Sequence, residues 1–193
     1  MEPVATKKEL SHQRIVAAAA RAIRRGGFSG VGVADVMKDA GLTHGGFYSH
    51  FGSREAMLSE ALTRAAQDSS ADLTGRAEQL CAQGASRLRA LIEGYLSETH
   101  LADAESGCPV AALLAEVPRQ SPELRQVALQ RMHALVETIR QALPDPQAKE
   151  QAMVVAATMV GALQMARALG ANAKGKSILA AARHSLLAAH DSA

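Results

Sequence analysis

Residues 41–58 read GLTHGGFYSHFGSREAML. Gly45 and Gly46 stand side by side within a stretch whose apolar residues keep helical spacing. In a helix interior each glycine costs roughly 1 kcal/mol relative to alanine. Phe47 and Phe51 lie four apart and share one face, suited to burial; His44 and Tyr48, also four apart, share another. Without Cβ atoms at 45 and 46 the backbone can approach phosphates or base edges in a major groove about 12 Å wide. Thr43, His44, Gly45, Gly46, Tyr48 and His50 are therefore candidates for DNA contact. Arg54, at the start of the next helix behind a capping Ser53, is a candidate for a phosphate.

The flanking residues support this. HQRIVAAAARAIRR predicts a first helix capped by Ser11, with Ile15, Ala18, Ala19, Ala22 and Ile23 on one face and Gly26–Gly27 as its stop. VADVMKDAG predicts a short second helix that ends on Gly41 in a left-handed cap. HGGFYSHF then forms a third helix capped by Thr43, and a fourth runs from about Arg54 into the sixties. Two short helices joined by a glycine-bearing turn make a helix-turn-helix. The rest is helical by pattern, with no strand signal. ASRLRALIEGYLSETHLA and the short CPVAALLAEV come first. A long helix follows from the Ser121-Pro122 start to Pro144 and Pro146, and AMVVAATMVGALQMARALG reads as buried on more than one side. The expected class is all-α: a three-helix head at 1–53, followed by a larger helical domain at 54–193.

Composition suits a soluble globular chain of 193 residues, with 48% hydrophobic and 21% charged residues. No apolar stretch reads as a membrane span, and MEPVATKKEL lacks an apolar signal region, which leads to the expectation of a cytoplasmic protein without a membrane partner. The net charge of +2 is uneven. Residues 1–54 hold 8 Lys/Arg against 4 Asp/Glu, and the remainder holds 13 against 15. A basic end on a slightly acidic body suits an anionic partner. Cys81 and Cys108 make neither a disulfide framework nor a zinc site. No cofactor is expected and no metal. The chain has no defensible Ser-His-Asp order and no phosphate loop, so it does not read as an enzyme.

GLTHGGFYSHFGSREAML resembles the DNA-binding signature of the TetR family of transcriptional regulators, through Gly41, Thr43, Gly46, Phe47, Tyr48, His50, Phe51, Ser53, Arg54 and Glu55. GGFSGVGVADVMKDAG resembles the region between that family's first and second helices. Relatives usually open the second helix with Thr or Ser. Here the residues are Val31-Gly32-Val33, and glycine costs only a few tenths of a kcal/mol as a cap.

The resemblance implies a homodimeric repressor on a palindromic operator, released by a small, mostly apolar effector. Candidates for an effector pocket are Tyr95, Glu98, His100, Met132, His133, Met153, Met159, Met165 and Arg167. The dimer is expected through the helices near 121–142 and 147–170, with Ala152, Ala156 and Gly161 allowing close approach and Val155, Met159 and Val160 supplying apolar area. Two other readings exist. Cys108, at a helix start, suggests a thiol- or redox-responsive repressor. A helical adaptor without DNA binding would lack salt-dependent affinity for duplexes.

Overall fold

The first helix begins earlier than its expected cap. In the computed structural model, which describes residues 6–145 and 148–191, α1 spans Lys7–Gly26. Its cap is Thr6 rather than Ser11. Thr6 Oγ1 accepts from the Glu9 amide at 3.2 Å and Glu9 Oε2 accepts from the Thr6 amide at 2.6 Å. This reciprocal box satisfies two otherwise orphaned donors, which leaves Ser11 inside the helix and buried.

α2 (Val33–Asp39) ends as expected. Gly41, at φ +69°, donates to Lys38 O, and Leu42 donates to Met37 O. This paired arrangement needs a left-handed residue, which glycine adopts without strain. The expected third helix is a 3-10 turn over His44–Ser49. Its i→i+3 winding is tighter than an α-helix, and Phe47 is its one buried residue.

α3 (Arg54–Ala82) extends far beyond the sixties, as a single rod. The expected boundary at 53 thus falls immediately before a helix that serves two cores. Met57, Leu58 and Ala61 on its first half pack with Ile15, Ile23, Val36, Met37, Phe47 and Phe51. Burying one large apolar side chain contributes about 1.5–3 kcal/mol, so Phe47 and Phe51 together offset the cost of two glycines. Leu113, Val117 and Leu124 join the same cluster, so the head leans on the body.

The body comprises α4 (Arg87–Tyr95), α5 (Glu98–Ala102), α6 (Pro109–Leu113), a 3-10 turn at Val117–Arg119, α7 (Pro122–Ala142), α8 (Lys149–Leu169) and α9 (Ala173–His190). Among the described residues there is no strand. The stretch read as one helix over 85–102 breaks after Tyr95, where Ser97 caps α5 by accepting from the His100 amide. Ser121 caps α7, with Pro122 at its first position, as expected. Pro144 follows its end, and Pro146 lies outside the described residues.

α8 departs from expectation in two ways. It is long and apolar enough, by length and composition, to cross a membrane, although its inner face is packed in the second core. It is also not buried on several sides: Met153, Val154, Met165 and Leu169 are exposed. Ala152, Val155, Ala156, Met159 and Val160, expected at a subunit interface, instead face the interior.

Candidate nucleic-acid interface and effector cavity

The 3-10 turn presents a surface with little side-chain bulk. Thr43, His44, Gly45, Tyr48 and Ser49 are exposed, and Tyr48 is 75% exposed. Phe47 beneath them is 1% exposed and stacks on Phe51 at 5.5 Å between ring centroids. This buried pair gives the outward residues a rigid footing. The glycine doublet divides: nothing lies within 4 Å of a Cβ built on Gly45, while one on Gly46 would touch Met37 Cε at 3.7 Å. Gly45 faces outward and Gly46 lies half-buried over α2. Thr43 occupies the cap position, but its side chain makes no cap hydrogen bond there.

Two expected contact residues are engaged elsewhere. Arg54 is half-buried; it donates through Nε to Val31 O at 3.2 Å and through a second nitrogen to Phe28 O. Its guanidinium thus braces the loop ahead of α2. His50 is half-buried, its ring 5.9 Å from that of His12. Its Nδ1 is buried without a hydrogen-bond partner. Desolvation, with His12 and Lys8 nearby, holds it below the ordinary histidine range and therefore neutral at pH 7. Ser53 caps α3 by accepting from the Ala56 amide at 3.1 Å.

A cavity of about 630 Å³ lies between α3, the end of α4, the start of α6, and α7. Of the residues expected to line it only Tyr95 does so, joined by Cys108. Glu98 is exposed and pairs with Lys176 at 2.6 Å. His133 points outward on α7, and Met132 packs into the second core. Met153 and Met165 are on the outer face of α8, whereas Met159 is fully buried. Arg167 donates to His100 O at 2.8 Å. His100 lines a neighbouring crevice of about 20 Å³, room for little more than a water molecule. Helical spacing identified apolar faces there, but not which face borders empty space.

The cavity wall that sequence reading missed is on α3, where Ser69, Ser70, Ala71, Thr74 and Gly75 line it. The run DSSADLTG is the signal, since successive small residues leave room beside a helix. Opposite stands Arg131 on α7. Cys108 is 6% exposed and sits in the cavity wall rather than on the surface. Its amide donates to His100 Nε2 at 2.9 Å, while His100 Nδ1 pairs with Tyr95 O at 2.6 Å. Those two bonds select the neutral tautomer with hydrogen on Nδ1. Burial, the largest influence, lowers its pKa to about 4.

Arg24 was also missed. It is 6% exposed, and its guanidinium donates to Ala20 O, Ala65 O, Ser106 O and Gly107 O at 3.0–3.5 Å. α1, α3 and the loop before Cys108 thus meet on one side chain. Glu116 adds a second tie by accepting from the Phe28 and Ser29 amides.

Comparison with known proteins agrees with this layout. Residues 15–61 match the family described as bacterial regulatory proteins, tetR family, and residues 84–182 match the tetracyclin repressor-like C-terminal domain. The chain belongs to the TetR family. A helix-turn-helix-type transcriptional regulator of Mycobacterium tuberculosis is 30% identical over 166 residues, which cover 80% of this chain and 83% of that protein. A TetR-family regulator of Chloroflexus aurantiacus has the same fold, with a TM-score of 0.77 and 25% identity over 94% of both chains. AibR, solved with isovaleryl coenzyme A and operator DNA, shares the fold at a TM-score of 0.65 and 17% identity, over 91% of this chain and 97% of that one. This TetR-family chain is therefore a DNA-binding transcriptional regulator with a helix-turn-helix head and a helical C-terminal domain. Neither family match covers residues 62–83, the part of α3 that forms one cavity wall.

Proposed function

We propose that the protein is a cytoplasmic, dimeric repressor that grips a palindromic operator and lets go when a small molecule enters the cavity in its body. The observation carrying this reading is the exposed, side-chain-poor turn at Thr43–Tyr48 seated on buried Phe47 and Phe51. Thr43, His44, Gly45 and Tyr48 then reach base edges. The half-buried start of α3, behind Ser53, receives a phosphate on its amides. Residues 1–53 form the DNA-binding unit, and 54–193 the effector and dimer unit, with α3 shared between them.

One head makes few base contacts, each worth about 1–3 kcal/mol, so a two-fold pair is needed for useful affinity. Exposed Met153, Val154, Met165 and Leu169 on α8 support an interface there. Ala180, Ala181 and Ala188 on α9, small and exposed, allow close approach beside it. The outward side of α7 carries Glu123, Arg125, Gln126, Gln130, His133 and Glu137 around exposed Leu129 and Ala134, a face more polar than that of α8. We therefore pair α8 with α9, in place of α7, at the dimer seam.

A ligand shifts operator affinity only by binding two states unequally. The cavity shares its Cys108 wall with the loop that Arg24 ties to α1, a route by which occupancy bears on the head. Selection of bound duplexes from random DNA by the purified protein tests the core of this reading. Two inverted half-sites about one helical turn apart are expected. Recovery of no enriched sequence at low salt would overturn it.

A further inference from the structure

Two buried donor atoms in the cavity wall lack a strong acceptor. The Tyr95 side chain is 2% exposed and its hydroxyl has no oxygen or nitrogen partner; only the Cys108 thiol, a weak acceptor, stands beside it. Burial pushes this phenol well above its ordinary pKa, so it remains a donor. Across the cavity the Nε of Arg131 is buried and likewise unpaired. Arg131 forms no ion pair with any carboxylate among the described residues; its hydrogen bond is to Thr63 Oγ1, at a long 3.5 Å. It also borders a small apolar crevice with Leu62, Leu113, Val117 and Ala128.

A buried Nε–H without an acceptor forfeits its hydrogen bond, and a half-buried guanidinium with no carboxylate beside it is left to find a counter-charge. We propose that the effector carries a carboxylate, received by Arg131 and Tyr95, on an apolar body that fills the rest of the cavity. This rests on the reading of the cavity as the effector site and names the effector's chemistry. A carboxylate answers both donors at once, and arginine receives it in a charge-assisted, fork-shaped pair. The only carboxylate of the lining is Glu78, exposed at the rim, where water screens it. Ser69, Ser70, Thr74 and Thr138 add hydroxyls, while Ala66, Leu73, Val110 and Leu135 supply the apolar wall.

Titration calorimetry on the full-length protein with decanoate, decanol and decylamine tests this, alongside operator release by each. Decanoate should bind about 10- to 100-fold more tightly than decanol, the range for a hydrogen bond to a charged group. Arg131→Met should abolish that preference while leaving decanol binding in place, and Tyr95→Phe should reduce it severalfold. The proposal is overturned if wild type binds decanol or decylamine as well as decanoate, if it binds no decanoate, or if the preference survives Arg131→Met. A companion variant, Thr74→Phe, fills the cavity and separates the two readings. If another apolar compound binds and Thr74→Phe blocks it, the carboxylate falls and the cavity reading stands. If Thr74→Phe blocks no ligand that binds, both fall.

Discussion

The guanidinium of Arg24 donates to the carbonyl of Ser106 at 3.2 Å, across 82 positions of sequence, and so joins the head's first helix to the loop beside the cavity. The same group reaches Ala65 O on α3 and Gly107 O. The buried cation takes its hydrogen bonds from backbone carbonyls of three segments, with Asp68 and Asp103 adding favourable charge, so its satisfaction depends on how those segments are arranged.

Arg24→Met, which keeps the volume and removes the donors, should destabilise the protein by about 1–3 kcal/mol, or several degrees in Tm at this size. The variant should also respond less to effector. The check is operator affinity with and without a ligand that releases wild type. A merely structural role would lower Tm and leave the ratio of the two affinities unchanged.

Gly45→Ala separates folding from recognition. Gly45 has no positive φ, and open space surrounds its missing Cβ. Alanine there should stabilise the head by about 0.4–1 kcal/mol through the unfolded chain. Operator affinity should nonetheless fall, because the added methyl stands between backbone and groove. A thermal melt and a binding isotherm on the same sample decide this; unchanged affinity would remove Gly45 from the interface.

His100 sets a pH dependence with a defined sign. Its folded pKa is about 4, well under the ordinary 6.5. The unfolded chain therefore binds the extra proton first as pH falls. Stability is complete above pH 6.5 and declines towards pH 4, by about 2 kcal/mol for this group once its partial exposure is allowed for. His100→Gln should flatten that decline in Tm measured against pH. A slope identical to wild type would assign the effect to other groups.

Val154→Glu combined with Met165→Glu tests the dimer seam. Both residues are more than half exposed in the single chain, so the fold should lose little, on the order of 0.5 kcal/mol. Two charges on an apolar two-fold face meet their own copies. Sedimentation at micromolar concentration should show a monomer with a normal helical spectrum and weakened operator binding. A persistent dimer would move the interface elsewhere.

The all-helical class, the glycine cap at Gly41, the Ser121-Pro122 start and the inward Phe47–Phe51 pair were all legible in the sequence, because caps and i,i+4 spacing act within one turn of chain. Three features were not. The direction of α8's faces was misread by about half a turn: Val155 and Met159 point inward and Val154 and Met165 outward, because alanine, valine and methionine occur on all its sides and only packing in the second core selects the buried one. The cavity depends on where α3, α4, α6 and α7 fail to fill the space between them, a property of their separation rather than of any residue's type. Arg54 and Arg24 carry no local mark of their tasks. Each is committed by carbonyls that folding brings from distant segments, and a long flexible cation accepts whichever acceptors burial leaves within reach.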